Sequence, residues 1–222
     1  MALPHEEKPL GLQIPAVPPG VEIPAEPPDV AARALSVAAR LLAGASTFFF
    51  LAFVFAYFYL RSLNVEHMWR PAHLKPDQAL GAAFIACLLI SAGAAILAGR
   101  GMKARSPAWV GAATASVAFG LVAVALQCIE YTAQKFGPTD GAFASVFCTW
   151  TAFYLIAVLG TMYWLETQVA TELRARREPA RGAQGDIADP DRLIAGGLDA
   201  AVFYWSYLAA IGVITYVVLY LL

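Results

Sequence analysis

The chain has 222 residues, of which 59% are hydrophobic and only 14% are charged, and its formal net charge is −1. Soluble domains of this size carry about 25% charged residues, so the composition indicates a protein that lies in lipid. No basic tract indicates binding to nucleic acid, and no such partner is expected.

The first segment, residues 1–30, contains eight of the fourteen prolines. Proline lacks an N–H and fixes φ, so this segment is predicted to be an extended, solvated tail, either free or lying along a partner subunit. It has no apolar core of a signal peptide, so the first spanning helix is expected to direct insertion. Residues 31–222 are expected to form one membrane domain.

Five long stretches without a charged residue follow the tail. A helix of roughly 20 residues crosses a bilayer core of about 30 Å, and backbone in lipid must be hydrogen-bonded internally. The sequence therefore predicts an all-α fold with five transmembrane helices, at residues 41–60, 78–99, 106–129, 141–165 and 200–222.

The charges of the connecting segments predict the orientation of these helices. Eleven lysines and arginines lie on the side of segments 1–40, 100–105 and 166–199, and four lie on the side of segments 61–77 and 130–140. Positive residues concentrate in the cytoplasm. The N-terminus is therefore predicted to be cytoplasmic and the C-terminus periplasmic, in a bacterial inner membrane.

The longest connection, residues 166–199, has three parts. Residues 166–177 are rich in helix formers and are expected to extend the fourth helix. Asp189 followed by Pro190 has the pattern of an N-cap and a first helical position, which predicts a short interfacial turn. Gly196 and Gly197 are expected to let the chain bend into the last span.

Helices two and three are rich in small residues. Ala112, Ser116 and Gly120 recur at four-residue spacing, which lets helix backbones approach closely. We expect these three residues to form a packing face, within the bundle or against another subunit. Pro107 is expected in the first turn of helix three. The cysteines are expected to be buried free thiols: Cys87, Cys128 and Cys148.

Ligands and ionisable groups are scarce inside the spans. The histidines His5, His67 and His73 lie outside them, whereas haem or copper in a membrane needs ligands that face one another within the bundle. His67 and His73 are expected to be solvated loop residues rather than a surface metal site. Without an intramembrane carboxylate or lysine, a small permease is disfavoured. No catalytic, cofactor-binding or metal-binding residue is predicted in this chain.

Glu130 closes the third span, with Gln127 one turn earlier on the same face. Two interpretations are open. The carboxylate either faces water or pairs with Lys135, or it anchors this corner of the bundle or a lipid headgroup.

The segment around Glu130 resembles subunit III of the haem-copper oxidases. Gln127, Glu130 and Tyr131 are followed by a short loop and then by Gly141 and Ser145, as in the signature of that family. The match covers residues 35–222 in the right order and is similar to the short five-helix bacterial form. Further matching residues are Ser46, Trp69, Pro71, Ser91, Gly93, Gly160, Thr161, Phe203, Tyr204 and Trp205.

The resemblance implies an accessory, non-catalytic subunit that stabilises the catalytic subunit of a cytochrome c oxidase in the aerobic respiratory chain. Its implied partners are oxidase subunits I and II, which hold the haem and copper, and membrane lipids, including a bound phospholipid. Accessory subunits of quinol oxidases and nitric oxide reductases are similar, and a scaffold subunit of an unrelated membrane complex also fits the bundle.

Several positions depart from the family pattern, because its ionisable residues inside the membrane are neutral here. The glutamate of span one aligns with Thr47, and the histidines of span four align with residues 153–154 and 156–157. The histidine and aspartate of the last span align with Ser206 and Ala209. Lipid or oxygen-path roles of those family residues are not expected to carry over.

Overall fold

The computed structural model of this protein describes residues 27–63, 69–71, 74–104, 106–177 and 190–222. Over these ranges the chain is helical, without a strand, and all five α-helices are long and apolar enough to cross a membrane. The predicted all-α fold with five spans is thus confirmed. The helices are α1 (Pro28–Ser62), α2 (Gln78–Lys103), α3 (Trp109–Ala133), α4 (Ala142–Arg177) and α5 (Pro190–Tyr216), and a π-helical turn (Val217–Leu221) follows α5.

Helix α1 begins well before the predicted span. Pro28 stands in its first turn, where the missing N–H costs nothing, and Asp29 adds a favourable negative charge there. Asp29 also pairs with Arg33 on the exposed surface, at 3.8 Å between nitrogen and oxygen. The charge-free stretch that predicted this span begins only at Leu41, after these charged residues. Residues 1–26, most of the predicted tail, lie outside the described residues.

The long connection lies between α4 and α5. Helix α4 runs on to Arg177, so the predicted extension is confirmed. The predicted bend at Gly196 and Gly197 is wrong, because both lie inside α5, which already starts at Pro190. A Cβ on Gly196 would overlap the Cβ of Ala32, so this glycine lets α5 pack closely on α1. Residues 178–189, which include Asp189, lie outside the described residues.

Helix α5 packs mainly against α1, α2 and α4, while α2 and α3 form a tightly packed pair. Pro107 lies in the turn before α3 rather than in its first helical turn, so that expectation is wrong. Large aromatic side chains fill the space between the helices. The largest fully buried ones are Trp150, Trp205, Tyr57, Tyr154, Phe143 and Phe147.

The outer surface is apolar, as expected for helices that face lipid. Helix α1 exposes Leu41, Phe48 and Phe55 at seven-residue spacing, and Phe48 is 77% exposed. The cysteines are all free, but the expectation that they are buried is wrong: Cys87 and Cys148 are half-buried, and Cys128 is exposed on α3. A free thiol behaves as a small apolar group, so a helix that faces lipid can carry it on its surface.

Candidate functional site

The loop between α3 and α4 is held by a hydrogen-bonded turn. The Asp140 carboxylate accepts a hydrogen bond from the Gly137 N–H at 2.7 Å. The Ser145 hydroxyl, in the first turn of α4, reaches the carbonyl oxygens of Pro138 at 2.5 Å and Gly141 at 3.0 Å. Gly141 has a φ of 145°, which residues with a side chain rarely adopt. Aspartate, glycine and serine in this order therefore build one tight corner.

Glu130 lies next to this corner, inside the bundle. Its side chain is only 1% exposed. Gln127 donates to one carboxylate oxygen from Nε2 at 2.9 Å. The Tyr220 hydroxyl lies 2.7 Å and 2.8 Å from the two oxygens. The carboxyl group therefore does not face water, and these bonds join α3 to the end of the chain.

The π-helical turn brings Tyr220 to Glu130. The backbone oxygen of Tyr220 accepts a hydrogen bond from Gln78 Nε2 at 3.0 Å, which ties the turn to the start of α2. Gly81 on α2 lies against the Tyr220 ring, and a Cβ there would overlap that ring. A buried carboxyl group needs such fixed partners, because an unsatisfied one is costly in an apolar interior.

Tyr131 joins the same end of the bundle to α4. Its hydroxyl donates to the Thr151 hydroxyl at 2.8 Å, and Thr151 donates in turn to the Phe147 carbonyl at 2.7 Å. The structure thus brings five of the six signature residues to one end of the molecule. The set is Gln127, Glu130, Tyr131, Gly141 and Ser145.

Trp205 lies elsewhere, at the contact between α5, α2 and α3. Its Nε1 donates to the Ser91 hydroxyl at 3.0 Å, and Ser91 donates to the Ser116 carbonyl at 2.5 Å. A Cβ on Gly120 would lie 3.3 Å from Cζ2 of Trp205. Ser116 and Gly120 are buried in this contact, whereas Ala112 is only half-buried. Two of the three small residues therefore lie between helices of the same chain.

Thr47, which the resemblance aligns with a glutamate, lies among neutral hydroxyl groups. Thr47 Oγ1 lies 3.0 Å from the Tyr207 hydroxyl and also donates to the Ala43 carbonyl at 2.8 Å. One residue earlier, the Ser46 and Tyr204 hydroxyls are 2.7 Å apart. These pairs fasten α1 to α5 without an ionisable carboxyl group.

The other neutral positions show the same pattern. The Ser206 hydroxyl donates to the Val202 carbonyl of its own helix at 2.8 Å. Phe153 stacks on Phe49 with 5.6 Å between ring centroids. Ala209 is buried in the core. Helix packing and hydrogen bonds within the bundle replace ionisable groups at these places.

Three tyrosines with central contacts were not predicted: Tyr154, Tyr207 and Tyr220. The Tyr154 hydroxyl, for example, donates to the Leu208 carbonyl on α5 at 2.7 Å. Each contact joins residues far apart in sequence, so no local spacing marks it. A polar aromatic residue inside an otherwise apolar span is the only signal that the sequence carries for them.

Within the part of the chain that the structure describes, no three histidine, cysteine or acidic side chains lie close enough to hold a metal ion. The predictions for His5, His67 and His73 concern positions outside the described residues. The described contacts join all five helices by hydrogen bonds between helices.

Together these features define a multi-pass membrane bundle whose signature corner and buried contacts are structural. Two similar proteins relate the chain to a narrower class. The chain is 28% identical over 184 residues to cytochrome c oxidase subunit 3 of Marchantia polymorpha, across 78% of this chain and 62% of the relative. It is 24% identical over 180 residues to cytochrome c oxidase subunit 3 of Ornithorhynchus anatinus, across 78% of this chain and 64% of that protein.

The predicted resemblance to the subunit III family is thereby confirmed. The matched regions make up less than two thirds of these relatives' lengths. No family model matches the chain.

Proposed function

We propose that this chain is an accessory, non-catalytic subunit III of a haem-copper terminal oxidase, a cytochrome c oxidase of the aerobic respiratory chain. The observation that carries the proposal is the similarity to two proteins named cytochrome c oxidase subunit 3 across 78% of the chain. In this proposal the partners are oxidase subunits I and II, which hold the haem and copper, and membrane lipids.

The role that we propose is stabilisation of the catalytic subunit. A bundle can serve this role if its own helices hold a fixed arrangement. The bonds of Tyr220 to Glu130 and of Trp205 to Ser91 support this reading, because each joins helices at a buried position. Such bonds contribute about 0.6 kcal/mol on average between helices in lipid, so several together favour one arrangement.

We further propose that the chain lies in a bacterial cytoplasmic membrane, with its N-terminus in the cytoplasm. The uneven distribution of lysines and arginines supports this orientation. The test is labelling of single cysteines in a variant without native cysteines. A membrane-impermeant reagent added from the periplasm should label Gly137→Cys and not Gly185→Cys. The reverse pattern would refute the orientation.

Deletion of this chain tests the proposed function. The catalytic core should still assemble and keep its haem absorbance, but it should lose activity sooner during turnover. Oxygen consumption with reduced cytochrome c and with a quinol as donors would then separate a cytochrome c oxidase from a quinol oxidase. A deletion that leaves every terminal oxidase unchanged in yield, spectrum and turnover life would refute the proposal.

A further inference from the structure

An open cleft of about 560 Å³ lies at the end of the bundle where the α1–α2 connection meets the π-helical turn. One part of its wall is cationic and another is apolar. The lining residues are Arg70, Lys75, Pro76, Asp77, Gln78, Ala79, Tyr220 and Leu221.

Arg70 is the most constrained cation in this cleft. Its guanidinium carbon lies 4.6 Å from the centroid of the Phe143 ring, and its Nε is buried without a hydrogen-bond partner. Burial lowers the pKa of Arg70, and repulsion from Arg61 lowers it further, although Tyr57 acts in the opposite direction. The group remains a cation, since arginine stays protonated in proteins. A partly desolvated cation of this kind favours a nearby anion.

Among the described residues, no carboxylate supplies that anion. The two described ion pairs join Arg33 to Asp29 and Lys103 to Asp199, at other places in the molecule. Lys75 is exposed and likewise has no described ion pair.

Asp77 lines the cleft, but its carboxylate is already engaged. It caps α2 by accepting hydrogen bonds from the backbone N–H groups of Ala79 at 2.8 Å and Leu80 at 3.1 Å. Among the residues that line the cleft, the cations Arg70 and Lys75 outnumber the single side-chain carboxylate, that of Asp77. Because Asp77 occupies the N–H groups of Ala79 and Leu80, an anion in the cleft would bind to the two cations rather than to these two donors of the helix N-terminus.

The place of the cleft and its apolar wall indicate which anion fits. It lies where α1 ends, α2 begins and α5 ends, which is the level of lipid headgroups for helices that span a bilayer. Leu221 on its wall is exposed and can contact an acyl chain. Arginine binds phosphate through two parallel hydrogen bonds, and lysine binds it as a point charge.

We propose that this cleft binds the phosphate group of an anionic phospholipid, with Arg70 and Lys75 as its donors and Leu221 against its acyl chain. The proposal depends on the chain spanning a membrane and not on its role in an oxidase. Free phosphate has the same headgroup chemistry, but it cannot use the apolar wall.

The test uses the purified full chain in detergent micelles with added phosphatidylglycerol, and native mass spectrometry measures the lipid-bound fraction. Arg70→Gln should weaken binding about tenfold or more, because it removes a charge-assisted pair of hydrogen bonds. Lys75→Glu should weaken it about fivefold or more, because the basic charge is lost and reversed. Lys135→Gln is the matched control, since Lys135 is exposed in the α3–α4 loop at the same end but outside the cleft.

Two further arms distinguish the sources of phosphate. Phosphatidylcholine should bind more weakly than phosphatidylglycerol, and inorganic phosphate should not displace the lipid. Displacement by inorganic phosphate, or equal binding of both lipids, would overturn the assignment. Lys75 is exposed, so its variant tests the site even if Arg70→Gln does not fold. Unchanged binding in Lys75→Glu relative to Lys135→Gln would overturn the proposal.

Discussion

Gly120 lies where α3 approaches both α4 and α5, and adding a side chain there tests the internal packing. A Cβ at this position would lie 3.1 Å from Sδ of Met162 and 3.3 Å from Cζ2 of Trp205. A leucine would place three further carbon atoms in the same space. Gly111, nine residues earlier on α3, has no such neighbour within 4 Å and is exposed, so Gly111→Leu is the matched control.

The expected effect follows from two opposing contributions. Overpacking a buried site costs about 1–3 kcal/mol, and a leucine at this contact belongs at the upper end of that range. Replacing glycine by a better helix former within a helix stabilises the helix by about 0.8–1 kcal/mol. Gly120→Leu should therefore lower the free energy of unfolding by about 2 kcal/mol, which corresponds to about 4–8 °C in Tm for a chain of this size.

The assay is thermal unfolding of the full chain in detergent, followed by circular dichroism at the helical band. Gly120→Leu should lower Tm, while Gly111→Leu should leave it unchanged or raise it slightly. If both variants have the same Tm, then Gly120 does not lie between helices and the packing described for α3, α4 and α5 is incorrect.

Other substitutions follow the same reasoning. Tyr220→Phe leaves the buried Glu130 carboxyl without one of its partners, which costs more than an average bond between helices, and should lower the free energy of unfolding by about 1–3 kcal/mol. Tyr216→Phe should lower it little, and equal losses would contradict the buried bond. Gly141→Ala should cost about 1 kcal/mol or more because of its positive φ, and Gly137→Ala, which keeps its N–H donor, should not. Lys103→Ala should change the free energy of unfolding by no more than about 1 kcal/mol, measured over a range of salt concentrations, since its ion pair with Asp199 is exposed.

The helices could be predicted from the sequence because lipid imposes a simple rule. Charge-free stretches of sufficient length must be helical, and all five were found in this way. Their ends were harder to predict: Arg33 and Arg40 lie on exposed parts of α1, so the charges that bounded the predicted span do not end the helix. The sequence predicted a bend at Gly196 and Gly197 because a local pattern does not show the helices that pack against them, α1 at Gly196 and α4 at Gly197.

The candidate site was predictable only where its contacts are local. Asp140, Gly141 and Ser145 form a turn within six residues, and Gln127 lies one helical turn from Glu130. The burial of Glu130 depends on Tyr220, which lies 90 residues away in sequence. A single sequence contains no signal for such a distant pair, so neither the partner nor the burial followed from it.

The proposed function is tested most directly by identifying the proteins that bind this chain in its native membrane. A tagged chain would be isolated in mild detergent, and the bound proteins would be identified by mass spectrometry, together with a reduced-minus-oxidised haem spectrum. The account predicts co-purification with oxidase subunits I and II, a haem spectrum, and oxygen consumption with reduced cytochrome c. Isolation of the chain in a complex without an oxidase catalytic subunit or haem would contradict it.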